Sequence, residues 1–299
     1  MLELSSEGDL KQARVFNRSF GGDTLNTAVA AARLGSSVGY VTRLGNDSFA
    51  LALQEMILKE GIQISPKRNG KGPTGLYFVS VDHEGQRDFV YYRQHSAATQ
   101  LGPDDITADL IKQSKIVYSS GITLAISPSA RQATLKAFRL ARENGIMTAF
   151  DPNYREALWE SEEKMVDAFN EVLPWVDIFL PSFPDDTVSM INFNKPQQVV
   201  DYFLFKGVKL VVVKVGAQGC YLGYKREIQQ IPSMSIKAID TTGAGDAFNG
   251  GFLHGLAQGE SLINCAKLGI TTASLKVLNR GSAIAMPNKD AVYNRAFSY

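Results

Sequence analysis

The feature that most constrains this fold lies in the second half of the chain, where short β-branched runs alternate with longer amphipathic stretches. From residue 116 the order is IVYSSG, a helical pattern over 127–144, IMTAFD, a second over 160–173, DIFLP, a third over 186–206, and LVVVKVG. Strands that are apolar on both faces and separated by helix-length segments bury themselves as a mainly parallel sheet with helices on either side. Gly145 and Gly207 each follow a helical pattern and precede a strand, where a helix C-cap belongs. Two further helical patterns, 244–258 and 261–278, are rich in Ala, Gly and Leu and suit close packing. With 299 residues, 44% of them hydrophobic, and no repeat, low-complexity tract or linker, the expectation is one α/β domain.

Residues 75–95 read differently. GLYFVSV and QRDFVYYRQH flank the turn DHEG, which predicts an antiparallel hairpin. Phe89 and Tyr91 fall on one face and Val90 and Tyr92 on the other, so both faces carry apolar or aromatic groups. Such a flap needs a cleft beneath it and a second subunit above it, and a homo-oligomer is expected on that ground.

Several function classes drop out. The chain carries 31 basic and 30 acidic residues, net +1, with no Lys/Arg cluster interleaved with aromatics, so no nucleic-acid surface is expected and the partner is a small molecule. Cys220 and Cys265 have no Cys or His partner at metal spacing and read as reduced core residues of a cytoplasmic protein. His83, His95 and His254 share no spacing; His83 is expected in the hairpin turn, and none is assigned catalytic work. MLELSSEG lacks a basic segment followed by an apolar one, and no apolar run approaches ~18 residues, so neither a leader nor a membrane span is expected.

The chemistry is concentrated in Asp240–Phe248, DTTGAGDAF. A glycine turn opening a helix presents free N–H groups and the positive helix end to an anion, and Asp246 sits beside them as a carboxylate base. Phosphoryl transfer to an alcohol needs both parts, with Asp240 expected to orient the loop. Alone, the motif is more often a glycine cap on a packing helix. Upstream, GGDTLNTA offers Asp23 or Thr24 as a helix cap and Asn26 in the first turn, again a plain cap when taken alone. A dinucleotide fingerprint fails because Phe248 stands where its last glycine belongs, and the segment around Lys71 lacks Walker A spacing.

Together the two motifs resemble the PfkB family of ribokinase-like carbohydrate kinases. The resemblance implies a three-layer α/β sandwich with a mainly parallel sheet and a β-lid from about 14–20 and 74–96. It implies that Gly21, Gly22 and Asn26 place the sugar, that Gly243, Ala244 and Gly245 form an anion hole, and that Asp246 is the base. ATP and Mg2+ follow as cofactors, with Lys214, Gly216, Gly219 and Ser182 on the nucleotide. The family's Asn-x-x-Glu motif corresponds here to Ser182, Phe183, Pro184 and Asp185, a departure that keeps an acid for magnesium and replaces the amide by a hydroxyl. Family chains begin with a buried strand, and this sequence is expected to start at the end of it with MLEL, so that the first family strand either lies upstream of Met1 or is a member the sheet lacks.

SFGGDTLNTA, GLYFV, DFVYYR, SGITLAI and FDPNYREALW are similar to the 2-keto-3-deoxygluconate kinase branch. That similarity implies substrate contacts at Gly22, Asn26, Tyr77, Tyr91, Arg93 and Arg155, and transfer from ATP to the 6-hydroxyl of a sugar acid. An acid needs its carboxylate neutralised, and arginine offers a fork of donors for it. A surface arginine with an ion-pair partner is an even competitor at either position. Two alternatives stay open: a kinase of a neutral sugar or nucleoside, and a non-catalytic sugar-binding protein of the same fold.

Overall fold

The computed structural model describes residues 1–65, 70–81, 87–187 and 193–298. The DHEG turn with His83, and the 188–192 part of the expected 186–206 helix, lie outside the described residues.

Two sheets carry the molecule. The smaller is a lid of β1 (Leu2–Glu7), β2 (Asn17–Phe20), β5 (Leu76–Val81) and β6 (Arg87–Tyr92), in the order β2-β1-β5-β6. β5 and β6 form the expected hairpin, with Tyr77 opposite Tyr91. MLEL is therefore placed differently from expectation: Leu2–Glu7 pairs in parallel with β5 inside the lid instead of ending a central strand. β3 (Gly39–Val41) and β4 (Gln63–Ser65) make a separate parallel pair.

The larger sheet follows the sequence rhythm. β7 (Ile116–Ser120), β8 (Met147–Asp151), β9 (Ile178–Phe179) and β10 (Leu210–Lys214) are parallel, and β11 (Cys220–Tyr224) and β12 (Glu227–Ile231) extend it antiparallel beyond β10. Alternation sorts the side chains. Phe150, Phe179, Val211 and Val213 face one layer, with Phe138, Phe169 and Phe203 of the Pro128–Glu143, Glu162–Val172 and Pro196–Phe205 helices. Ala149, Ile178, Leu180, Leu210 and Val212 face the other, against Phe248, Phe252 and Ile270 of the Ala244–Gln258 and Leu262–Lys276 helices. Each fully buried large apolar side chain contributes about 1.5–3 kcal/mol, so a core on both faces fixes the sheet.

Local chemistry sets the helix ends. Ser127 Oγ accepts from Ala130 N–H at 3.1 Å, with Pro128 at the first helical position. After Gly145 and Gly207 the chain turns back, with Ile146 N–H on Ala141 O and Val208 N–H on Phe203 O. The third helix is shorter than expected: residues 186–187 form a turn, and the described helix begins at Pro196.

The Ala244–Gln258 helix is pressed between the Asp23–Arg33 and Leu262–Lys276 helices. A Cβ on Gly250 would lie 2.5 Å from Ala30 Cβ and 2.8 Å from Thr27 O, and one on Gly251 would lie 2.7 Å from Leu268 O. Close helix packing thus depends on these glycines. No helix among the described residues is long and apolar enough to cross a membrane.

Candidate active site

The parallel strands end on one side of the sheet, where ligand sites of such sheets gather. Four polar groups stand at or just beyond those ends: Ser120, Asp151, Ser182 and Lys214. Lys214 Nζ donates to Asp151 Oδ2 at 2.7 Å and to Asn249 Oδ1 at 3.2 Å, and Asn249 Nδ2 donates to Tyr118 Oη at 3.2 Å. Lys214 is buried, so its ammonium is paired inside the protein. It also lies 3.6 Å from where a Cβ on Gly245 would be.

Above this floor the Asp240–Phe248 segment forms its turn. Gly243 precedes the Ala244–Gln258 helix with φ of 74°, a left-handed conformation that suits glycine. Asp246 falls in the first turn, buried, with Oδ2 accepting from Asn26 Nδ2 at 2.8 Å and Oδ1 3.5 Å from Asn153 Nδ2. The two motifs, 220 residues apart in sequence, thus meet in one hydrogen bond. Burial, reinforced by the charge of Asp23, pushes the Asp246 carboxyl up to about 7 against the help of the Asn26 amide. Of the three amides expected to cradle an anion, Ala244 N–H is already donated to the Thr241 carbonyl at 3.1 Å. The helix-entrance amides beside it and the positive helix end remain for a ligand.

A cavity of about 590 Å³ opens against this turn. Its walls include Ser182, Asp185, Lys214, Gly216 and Gly219, and also Gly243, Ala244, Gly245 and Asp246. Met234, Ile236, Ile270, Ala273 and Val277 supply apolar wall. Arg155 lines the same cavity, with Nη1 on Tyr154 O at 2.7 Å.

The lid side holds the other expected residues. A Cβ on Gly21 would collide with the Tyr77 and Ser282 hydroxyls, so a side chain there would have to displace them. Tyr77 donates its hydroxyl to Glu3 Oε2, which also accepts from Ser282 Oγ at 2.7 Å. Tyr91 packs beside Tyr77 at a ring separation of 6.0 Å. Arg93, at the end of β6, has its Nε buried without a hydrogen-bond partner among the described residues, and Asn26 Oδ1 is in the same state. Burial lowers the Arg93 guanidinium, opposed by Asp23 and Tyr91. Asp23 is therefore a common electrostatic neighbour of Arg93 and Asp246, and Tyr91 of Arg93 and Arg155.

One expectation changes, and two others gain buried neighbours. Neither Asp23 nor Thr24 caps the Asp23–Arg33 helix: Gly22 holds that position, Asp23 accepts from Ser120 Oγ, and Thr24 Oγ1 pairs with Tyr40 Oη at 3.1 Å. Lys214 touches the nucleotide-sized cavity but spends its charge on Asp151. Beside the exposed Asp185 stands a buried acid, Asp186, whose oxygens accept from Ser182 N–H and Tyr154 N–H, each at 2.7 Å. Burial and the charge of Asp151 push Asp186 up. Asp186, Asp151, Asn153, Asn249 and Glu3 escaped the sequence reading. For Asp151 and Asn153 a signal existed, since FDPN follows a strand directly.

Comparison with known proteins agrees with this architecture. A pfkB family carbohydrate kinase profile matches residues 1–289. A 2-dehydro-3-deoxygluconokinase of Dickeya dadantii is 37% identical, covering 96% of this chain and 96% of that enzyme. A 5-dehydro-2-deoxygluconokinase of Clostridium perfringens is 32% identical over 95% of this chain and 85% of its own length. Among solved structures, an Escherichia coli ribokinase II candidate in complex with ATP and Mg2+ superposes with a TM-score of 0.87 at 25% identity, covering 98% of this chain and 95% of that one. With its two motifs joined at Asp246 and a family match over nearly its whole length, this chain belongs to the pfkB family of carbohydrate kinases.

Proposed function

We propose that this chain transfers the γ-phosphoryl group of ATP to the 6-hydroxyl of 2-keto-3-deoxygluconate, giving 2-keto-3-deoxy-6-phosphogluconate. The observation that carries the reading is Asp246: a buried carboxylate, raised to about 7, at the mouth of a helix that borders a nucleotide-sized cavity. A base with that affinity takes a proton from an alcohol as the alcohol oxygen attacks phosphorus, and ADP leaves. Asn26 holds Asp246 Oδ2, which aims the carboxylate. The Gly243 and Gly245 amides and helix end offset charge on the transferring oxygens. Lid closure excludes water, which limits hydrolysis of ATP.

Magnesium, when bound, would supply positive charge to offset that of the phosphates. Asp185, exposed on the cavity wall beside Ser182, suits a metal that keeps several waters and takes few protein carboxylates.

The acid substrate is favoured by Arg93. A buried guanidinium nitrogen without a hydrogen-bond partner among the described residues invites an anion, and both relatives above are by name kinases of deoxygluconates. A coupled ATP assay over sugars and sugar acids tests the reading. The expected result is the highest kcat/KM with 2-keto-3-deoxygluconate; faster turnover of fructose or ribose would assign the chain to neutral sugars.

The lid's outer face carries Phe78 between Phe16 and Tyr92, at ring separations of 5.1 and 5.8 Å, with Tyr92 63% exposed. This supports the proposal that two copies pack lid to lid; sedimentation as a strict monomer at micromolar concentration would remove it.

A further inference from the structure

Lys276 ends the Leu262–Lys276 helix and is fully buried, at 0% exposure. An ammonium in that position is costly unless it is paired and hydrogen-bonded. Its Nζ donates to the Asp240 main-chain carbonyl at 2.9 Å and stands 3.7 Å from Asp240 Oδ2. One cation thus grips Asp240 by main chain and side chain together. Asp240 in turn accepts Thr242 N–H on Oδ1 at 2.8 Å and Gly281 N–H on Oδ2 at 2.9 Å.

Those three hydrogen bonds and the ion pair tie two loops to one point. Loop 240–243 leads into the Ala244–Gln258 helix and its anion-binding entrance. Loop 277–282 ends at Ser282, whose Cβ lies 3.5 Å from where a Cβ on Gly243 would be and whose hydroxyl reaches Glu3 of the lid. Burial works against an ionised Asp240, but Lys276 and the two amides outweigh it and hold the carboxyl below its usual range. Asp240 is therefore held as the carboxylate.

We propose that Lys276 is a positioning residue for phosphoryl transfer: a built-in cation that, through Asp240, sets where the Gly243 and Gly245 amides stand. The proposal rests on the reading that those amides hold the transferring phosphoryl group. Lys276 acts through Asp240 and not by touching substrate. Its role is that of a compact positive charge in a fixed place, so a small diffusible cation can replace it in a variant that leaves the space empty.

The test compares wild type, Lys276→Met and Lys276→Ala in the coupled ATP assay, in ammonium chloride against choline chloride at matched ionic strength. Wild type inactive on every acceptor breaks the kinase reading itself, and this proposal with it. With wild type active, Lys276→Met is expected to keep its circular dichroism spectrum and a sugar KM within about threefold, while kcat falls roughly 10²-fold, the scale of a small misplacement of catalytic groups. Ammonium is expected to raise kcat of Lys276→Ala at least about tenfold, saturably, with choline inert, a recovery that a loss of packing alone would not show. Near-wild-type kcat in Lys276→Met overturns the proposal. So does a joint loss of kcat and sugar KM without ammonium rescue in Lys276→Ala. Should Lys276→Met fail to fold, Lys276→Met/Asp240→Asn removes the unbalanced carboxylate; the double variant is expected to fold with low kcat and unchanged sugar KM, and wild-type kcat there overturns the proposal as well.

Discussion

The Ala244–Gln258 helix and the β5–β6 hairpin both bound the candidate site, and they are built in opposite ways. Every residue from Asp246 to Gly255 is buried, and glycines bring the helix into backbone contact with both neighbours. On the hairpin, Val90 is 39% and Tyr92 63% exposed. The difference separates two tasks. A group that must meet a proton at a fixed distance belongs on an over-determined element, whereas a group that selects the substrate can ride on a sheet that opens and closes.

The largest expected effect breaks the rigid side. Asp246→Asn should lose at least the roughly 10²–10⁴-fold of general-base catalysis in kcat, with ATP and sugar still bound. Turnover near that of wild type would take Asp246 out of the mechanism.

Stability should divide along the same line. Gly250→Ala must push its new methyl into Ala30 and the Thr27 carbonyl, an overpacking expected to cost about 1–3 kcal/mol. Tyr92→Ala on the lid should stay within roughly 0.5 kcal/mol for the isolated subunit. Urea melts of both variants check the contrast, and equal losses would show that the lid is packed as firmly as the helix.

A smaller effect concerns pH. With Asp246 raised to about 7, kcat/KM should climb with pH and level off once the carboxylate is ionised. Stability runs the other way. The folded value lies above the ordinary 3.8, so this group's contribution is complete below about 4 and is lost as pH rises through 7. Asp246→Asn cannot ionise and should gain in melting temperature over wild type between pH 4 and 8. A constant gap across that range would mean that burial does not strain the carboxylate.

How much of this was legible in sequence differs by residue. The parallel strands were readable because burial on both faces leaves a continuous apolar run, and Asn26 and Asp246 were readable because a motif marks each. Asp151, Asn249 and Lys214 form one buried cluster, yet their joining depends on where three separate elements end in space. Glu3 looked like part of an apolar strand end, and only the lid pairing explains a buried acid there. Asp185 and Asp186 are identical letters side by side; which one points into the protein is decided by the Ser182 and Tyr154 amides that reach for it. Periodicity reports burial, but hydrogen-bond partners distant in sequence leave no local mark.

The division between a rigid catalytic helix and a selective lid is tested most directly by binding. Isothermal titration of 2-keto-3-deoxygluconate into Asp246→Asn and Arg93→Met, beside wild type, separates recognition from chemistry. Asp246→Asn should bind the acid as wild type does, and Arg93→Met should bind it about 1.5–3 kcal/mol more weakly, as expected for a lost hydrogen bond to a charged group. Unchanged binding in Arg93→Met together with lost binding in Asp246→Asn would contradict the account.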